Sequence, residues 1–342
     1  PQAADWHKPW IFYRIAGEKL EGTQMKLVIV GGGAIGRLFG ASFARGNNDV
    51  TIVDADPLVV KQIQQNGIGV LGNREDALDA VEFVTVDAVS DASLIKECDL
   101  VLLTVKSFAT KAAAESVAHL VTPASPILFM QTGLGNQAIL RDLFPVKAII
   151  AGLTFMSGTA LGNSRVRQGR WGMTFIGELG EVGELTGAVT PRLEGICQKF
   201  NESGIETKWS HKIIGRLWAK GITYATLNTL TAIFKVPNGL LLENEESILL
   251  VKQLLAEGEM VAKARGVEPI VDDLFDLFAE VVKESSHNLS SMLQDVLNGR
   301  PTEIEAQSGA IARYADKFGI EVPRHQMMAS MLRLLEQWPI ER

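Results

Sequence analysis

The stretch Met25-Lys26-Leu27-Val28-Ile29-Val30-Gly31-Gly32-Gly33-Ala34-Ile35-Gly36 decides the architecture of the first half of the chain. Residues 27–30 form an apolar run of strand length, and three glycines end it. Gly31, Gly33 and Gly36 satisfy the spacing G-x-G-x-x-G. That hexapeptide is weak alone, but here it has its context. A strand precedes it, a helix is expected through residue 44, and a second strand at 50–54 lies within about 30 residues. Gly31 permits the tight turn, Gly33 lets the backbone approach a pyrophosphate, and Gly36 lets the helix pack close on the strand. Gly32, Ala34 and Ile35 complete the loop, and the helix N-terminus presents free N–H groups to phosphate. The plainer alternative is a glycine-rich turn with no ligand.

Asp54 ends the second strand, about 20 residues beyond the glycines. A carboxylate there accepts hydrogen bonds from both hydroxyls of an adenosine ribose and repels a 2′-phosphate, which favours NAD(H) over NADP(H). Asp54 or Asp56 could instead cap the helix expected over 57–65. No arginine occurs in Ala55-Asp56-Pro57 to clamp a 2′-phosphate.

Further along, residues 99–105 and 126–131 are continuous apolar runs, as suits strands covered on both faces of a parallel sheet. Residues 148–156 and 171–177 read as further strands. The alternation of strand and helix predicts an α/β, Rossmann-type doubly wound sheet domain. Near Lys208 the texture changes, and from Lys212 onward the sequence is helix-like. Helices are expected over 212–234, 247–265, 271–283 and 303–318. The last has Thr302 as N-cap, Glu305 completing a capping box, and Gly319 then Pro323 beyond its end. The expected division is a sheet domain over 25–207 and an all-helical C-terminal domain over 208–342. Met25 is a candidate natural start, and residues 1–24 read as an extension without an assigned role.

Bulk properties narrow the function classes. The 342 residues are 46% hydrophobic and 21% charged, with a net charge of −7. Two domains suit that length. No cluster of Lys and Arg provides a nucleic-acid surface. No apolar run reaches the ~18 residues that span a bilayer, and residues 1–24 lack the apolar centre of a signal peptide. A cytoplasmic location is the resulting expectation. Cys98 and Cys197 stand far apart and read as two buried free thiols, with neither a disulfide framework nor a metal motif around them. The helical part has room for a homodimer surface, which the sequence does not locate.

Several polar residues stand where chemistry could use them. Lys106 ends the 99–105 strand, and ligands of parallel α/β sheets bind at the carboxyl ends of strands. Thr132-Gly133-Leu134-Gly135-Asn136 ends the next strand and brings a hydroxyl and an amide to the same edge. The plainer alternatives are an exposed strand-end lysine and an ordinary strand-to-helix turn. On a helix over 212–234, roughly 100° per residue places Ile213, Leu217, Lys220, Tyr224, Leu227, Asn228 and Thr231 on one face. The aliphatic residues turn that face inward, so Lys220 either has a task or snorkels to the surface. A partly buried lysine has a lowered pKa, which suits proton transfer. Ser290 and Ser291 fall between helices near Asp295, and Glu303 falls in the first turn of the capped helix. Taken alone, these serines and Glu303 are ordinary structural residues.

Together these segments resemble the ketopantoate reductase (2-dehydropantoate 2-reductase) family, from Met25 nearly to the end. The resemblance is carried by the opening glycine run, Val105-Lys106, Leu217-Trp218-Ala219-Lys220, Asn228-Thr229-Leu230-Thr231-Ala232 and Pro237-Asn238-Gly239. Ser290-Ser291-Met292-Leu293-Gln294-Asp295 followed by Thr302-Glu303-Ile304-Glu305 is its most specific pair. It implies reduction of 2-dehydropantoate to pantoate with NADP(H), a step toward coenzyme A. It further implies that Lys220 protonates the carbonyl oxygen and that Glu303 holds substrate and positions the lysine or a water. Ser291 would bind the substrate carboxylate, Asn228 a hydroxyl, and Lys106 would orient substrate and cofactor. Thr132 and Glu303 would border the cofactor.

Three departures stand out: Thr132 replaces an asparagine, Tyr224 replaces a second asparagine, and Asp54 stands without the family's arginine. The first two touch the substrate pocket and the third the cofactor preference. The rival expectations are a reductase of another branched or hydroxylated 2-oxo acid and a non-catalytic NAD(P)-binding sensor.

Overall fold

The computed structural model describes residues 24–72, 81–180, 187 and 189–338. The expected N-terminal extension, apart from Gln24, lies outside the described residues. The strands run β1 (Lys26–Val30), β2 (Asp49–Val53), β3 (Ile68–Leu71), β4 (Glu82–Val84), β5 (Asp87–Val89), β6 (Leu100–Leu103), β7 (Ile127–Phe129), β8 (Ile149–Thr154), β9 (Gly158–Ala160), β10 (Arg165–Gln168), β11 (Thr174–Glu178) and β12 (Thr207–Trp209). Helices α1 (Ala34–Arg45), α2 (Pro57–Asn66), α3 (Thr110–Ser116), α4 (Asn136–Leu143) and α5 (Pro191–Glu202) alternate with them. After β12 only helices follow: α6 (Ile213–Phe234), α7 (Glu245–Ala264), α8 (Leu274–Glu284), α9 (Ser291–Leu297), α10 (Ser308–Phe318) and α11 (Pro323–Gln337).

The main sheet has the order β12-β11-β8-β7-β6-β1-β2-β5. Pairs from β5 to β8 are parallel, β11 runs antiparallel to β8, and β12 is parallel to β11. The apolar runs of β1, β6, β7 and β8 are buried on both faces, with strict alternation between them. Val28, Val101, Leu103, Ile127, Phe129, Ile149 and Ala151 join one core, shared with α3, α4 and the C-terminal helices. Leu27, Ile29, Leu100, Leu102, Leu128 and Ile150 join the other, shared with α1, α2 and α5. A period of two on strands sandwiched between helices makes continuous hydrophobic sequence the correct reading.

A second, four-stranded sheet, β4-β3-β10-β9, has no counterpart in the sequence reading. It covers the outer side of α1, and Gly40 sits where a Cβ would press on Ile52, Ile68 and Ile29 side chains. Its strands are short, and β4 carries the exposed Glu82 and Phe83, so no hydrophobic period announces it.

Three helical expectations need correction. Helix α6 does not present one apolar face: of its 22 residues only Arg216, Tyr224, Ile233 and Phe234 keep access to solvent. A helix apolar all round is a buried helix, and α6 packs against β8, β11 and its helical neighbours. The helix expected over 303–318 is split into a 3-10 turn, Ile304–Ala306, and α10. The Thr302 hydroxyl does accept from the Ile304 N–H at 3.2 Å, but Glu305 turns outward to Arg313 and Arg333 instead of closing a box. Ser290 lies between α8 and α9 as expected and caps α9, accepting from the Leu293 N–H at 3.1 Å, but Ser291 already belongs to that helix as its first residue. Gly319 ends α10 in the left-handed region, as expected.

Cys197 is buried and Cys98 only half-buried, both free. Among the described residues no helix is long and apolar enough to cross a membrane.

Candidate active site

The strand order reverses between β1 and β6, and the crevice beyond their carboxyl ends is the ordinary ligand position of such sheets. The glycine run lies there. Gly31 has φ 111°, and a Cβ on it would lie 2.9 Å from the Val105 nitrogen. A Cβ on Gly36 would lie 1.9 Å from the Gly31 oxygen, so α1 can approach the turn only without a side chain at this position. A Cβ on Gly33, by contrast, would meet nothing within 4 Å, and Gly33 provides no side-chain cap to α1. Ala34 and Ile35 form the first turn of α1, whose leading amides have no partner within the helix.

Asp54 stands beside this loop. Its Oδ2 accepts from the Gly32 N–H at 2.6 Å and its Oδ1 from the Asp56 N–H at 2.9 Å. The capping of α2 falls to Asp56, which accepts from the Leu58 N–H at 2.9 Å. Arg37 lies in α1, but its guanidinium donates to the carbonyls of Leu161 and Arg165, both at 2.9 Å, and is committed there.

From the helical side, α6 delivers Lys220 to the carboxyl end of β8. Its Nζ donates to the Thr154 carbonyl at 2.6 Å, and the residue is 6% exposed. The snorkelling alternative is therefore absent. Phe155 and Tyr224 rings lie 5.6 and 5.1 Å from the ammonium. Burial pulls the Lys220 pKa down to about 8; Glu303 pushes it up and Arg170 lowers it further. Burial also raises the Tyr224 phenol, which stays a neutral hydroxyl.

Lys106 reaches across from the end of the β6 segment. Its Nζ lies 2.6 Å from Asp295 Oδ2 and 3.6 Å from Glu303 Oε2. Glu303 is buried, and its Oε1 accepts from the Ser107 N–H at 2.8 Å. The Thr132 to Asn136 loop docks on the same region: the Leu134 N–H donates to the Ala306 carbonyl at 2.7 Å. Gly133, at φ 101°, makes that possible, because a Cβ would lie 2.6 Å from the Ala306 oxygen. Thr132 is half-buried in this loop. Asn228 is buried two turns beyond Lys220, where it donates to Gln307 Oε1 at 3.1 Å.

The structure thus brings Lys106, Thr132, Lys220, Tyr224 and Glu303 to one crevice with the glycine loop. Ser291 is exposed in the first turn of α9, one residue past the buried Ser290, whose hydroxyl accepts from Thr231 at 2.7 Å. Sequence reasoning noted Asp295 without finding its partner Lys106, and it missed the Thr154 carbonyl and the Arg170–Glu284 ion pair. Only apolar surroundings for a charged residue could have signalled such pairs, and Arg170 lies in a polar segment.

Comparison with known proteins identifies the family. Residues 27–181 match the family described as Ketopantoate reductase PanE/ApbA, and residues 212–336 its C-terminal family. The 2-dehydropantoate 2-reductase of Pyrococcus abyssi is 31% identical over 309 residues, covering 90% of this chain and 97% of the relative. The PanE/ApbA family ketopantoate reductase from Ralstonia eutropha superposes with a TM-score of 0.81 at 28% identity, covering 92% of this chain and 99% of the other. D-mandelate dehydrogenase, solved with NADH and anilino(oxo)acetate, superposes with a TM-score of 0.82 at 23% identity over 92% of this chain and 99% of the other, a likeness of fold.

Proposed function

The chain belongs to the ketopantoate reductase family, and on that premise we propose that it reduces 2-dehydropantoate to pantoate with Lys220 as proton donor. Family membership makes it an NAD(P)H-dependent oxidoreductase of a 2-oxo acid. The particular acid, the residue roles and a division into domains at residue 207, at the start of β12 and shortly before α6, are our reading. What carries the mechanism is the buried ammonium of Lys220 at the mouth of the crevice.

The loop fits a dinucleotide. Gly33 leaves room for a pyrophosphate against the N-terminus of α1, while Gly31 and Gly36 are demanded by the turn itself. The cofactor, when bound, supplies the hydride. This chain's residues handle charge and proton. Lys220 spends one N–H on Thr154 and keeps two for the carbonyl oxygen of the substrate. As negative charge grows on that oxygen, the ammonium stabilises it and then releases a proton to it. Glu303 sustains the charged form of Lys220 and orients the Lys106 side chain. In this reading Asn228 contacts a substrate hydroxyl, Ser291 offers its hydroxyl to the carboxylate, and Thr132 and Tyr224 shape the pocket.

The pH dependence follows with a definite sign. Lys220 donates only while protonated, so kcat/KM for reduction should be level below about pH 8 and fall about tenfold per unit above it. Oxidation of the product should rise through the same range. Because Glu303 raises the lysine, Glu303→Gln should move the break to lower pH. A profile that stays flat to pH 10 would remove Lys220 as the acid.

Cofactor choice tests Asp54. Its carboxylate is held by two backbone N–H groups, yet each oxygen keeps a lone pair for a ribose hydroxyl. We expect NADH to be preferred over NADPH, and Asp54→Asn to narrow the gap by weakening repulsion of the 2′-phosphate. Oxidation of each cofactor at 340 nm, with 2-dehydropantoate beside a panel of other 2-oxo acids, decides both substrate and cofactor. A higher kcat/KM for another acid would displace 2-dehydropantoate from the proposal.

A further inference from the structure

The segment between β10 and β11 places a second cation next to Lys220. Arg170 lies with its guanidinium carbon 5.6 Å from the centre of the Phe155 ring, the same distance as the Lys220 ammonium. Its backbone is fixed by two hydrogen bonds to Ser157: the Arg170 N–H donates to the Ser157 hydroxyl and the Ser157 N–H to the Arg170 carbonyl, both at 2.8 Å. Gly169 makes this approach possible, since a Cβ there would lie 2.5 Å from the Ser157 Oγ. The Arg170 guanidinium pairs with Glu284, the last residue of α8, and the two side chains are 21% and 33% exposed. The pair therefore joins the sheet side of the crevice to the helical side.

Two cations against one aromatic ring repel each other, and Arg170 indeed lowers the Lys220 pKa. An anion held near both cations relieves that repulsion. A 2-oxo acid carries its carboxylate one bond from the reacting carbon, so a carbonyl oxygen on Lys220 brings the carboxylate within a few ångströms of it. Lys106 is already flanked by Asp295 and Glu303, and Arg300, more exposed, pairs with the same Asp295. Ser291, exposed on α9, offers a neutral hydroxyl only. A guanidinium matches a carboxylate with two parallel hydrogen bonds.

Resting on the reading of this site as a 2-oxo acid reductase, we infer that Arg170 is a specificity-determining residue that takes the substrate carboxylate, and that Glu284 holds it in place until the substrate displaces it. Glu284 is then an internal competitor for the same guanidinium. The two partners of one ion pair consequently have opposite effects on substrate affinity, which a purely structural tie between the two sides cannot produce.

The test compares Arg170→Gln, Arg170→Lys and Glu284→Gln with the parent enzyme. KM and kcat are measured for 2-dehydropantoate, and oxamate binding to the NADH-loaded protein is measured by calorimetry. Arg170→Gln should raise KM and the oxamate Kd by about 10- to 100-fold, with kcat changed far less, as expected for loss of a charged hydrogen bond. Arg170→Lys should recover part of the affinity, and it also serves if the glutamine variant does not fold. Glu284→Gln should lower both constants by several-fold. Unchanged KM and Kd in Arg170→Gln, or a rise in both variants alike, would overturn the assignment. If the parent turns over no 2-oxo acid, the functional reading fails separately, and the oxamate affinities still judge Arg170.

Discussion

Replacing Lys220 with alanine is expected to lower kcat by about 10³- to 10⁴-fold while leaving NADH affinity within about twofold. The loss combines two contributions from one atom. In the proposed mechanism the ammonium stabilises the developing oxyanion and then provides the proton, and among the described residues no other cation donates to the Thr154 carbonyl. Cofactor affinity is spared because the glycine loop belongs to β1 and α1, while Lys220 rests on the end of β8. Lys220→Met separates chemistry from packing. It fills nearly the same volume, so kcat should fall equally, while the Tm should match or exceed that of the parent because a desolvated charge has been removed. Steady-state kinetics, cofactor titration and a melting curve together check the claim. Retention of kcat within tenfold in either variant would take Lys220 out of the mechanism.

The second large effect lies in the glycine loop, where two neighbouring substitutions should behave differently. Gly36→Ala would put a Cβ 1.9 Å from the Gly31 oxygen and 2.8 Å from the Thr104 hydroxyl. The backbone oxygen cannot rotate away, so α1 must lift from the turn at a cost of about 3 kcal/mol or more. A fall in Tm on the order of 5–10 °C should accompany a loss of NADH affinity of roughly 100-fold, as the phosphate cradle moves with the helix. Gly33→Ala meets nothing in the protein within 4 Å and already has φ −72°. Its stability should stay within about 1 kcal/mol of the parent, since alanine is only a poorer N-cap than glycine. NADH affinity should nevertheless drop at least about tenfold, because the methyl occupies the space reserved for phosphate. Equal NADH affinity in Gly33→Ala and the parent would mean that the pyrophosphate lies elsewhere.

What the sequence revealed follows the same physical divide. Strands β1, β6, β7 and β8 were legible because helices cover both faces and leave uninterrupted apolar runs. Strands β3, β4, β9 and β10 were not, since a four-stranded accessory sheet with exposed residues such as Glu82 and Thr159 carries no clear period. In the site, Lys220 stood out as a charge within an apolar helix with a task and snorkelling both open, and its role, like those of Glu303 and Ser291, entered through family resemblance. The pairing of Lys106 with Asp295 joins residues far apart in sequence, and nothing local encodes it. The acceptor for Lys220 is a backbone carbonyl, which any residue at position 154 would supply. Helix boundaries failed where tertiary contacts overruled local caps, as when Arg313 and Arg333 drew Glu305 away from Thr302.

The all-round burial of α6 also bears on how such an enzyme can acquire a new substrate. A surface helix has a solvent side on which substitutions drift freely; α6 has almost none, and close-packed interiors resist changes of volume. Its backbone carries Lys220 and Asn228, so in the proposed mechanism the catalytic frame sits where the fold tolerates little change. Of the α6 residues assigned to the site, Lys220, Tyr224 and Asn228, only Tyr224 sits half-open. On the proposed reading, diversification is therefore channelled into Tyr224 and into loop residues such as Thr132 and Arg170, where a side chain can be exchanged without repacking the core around α6.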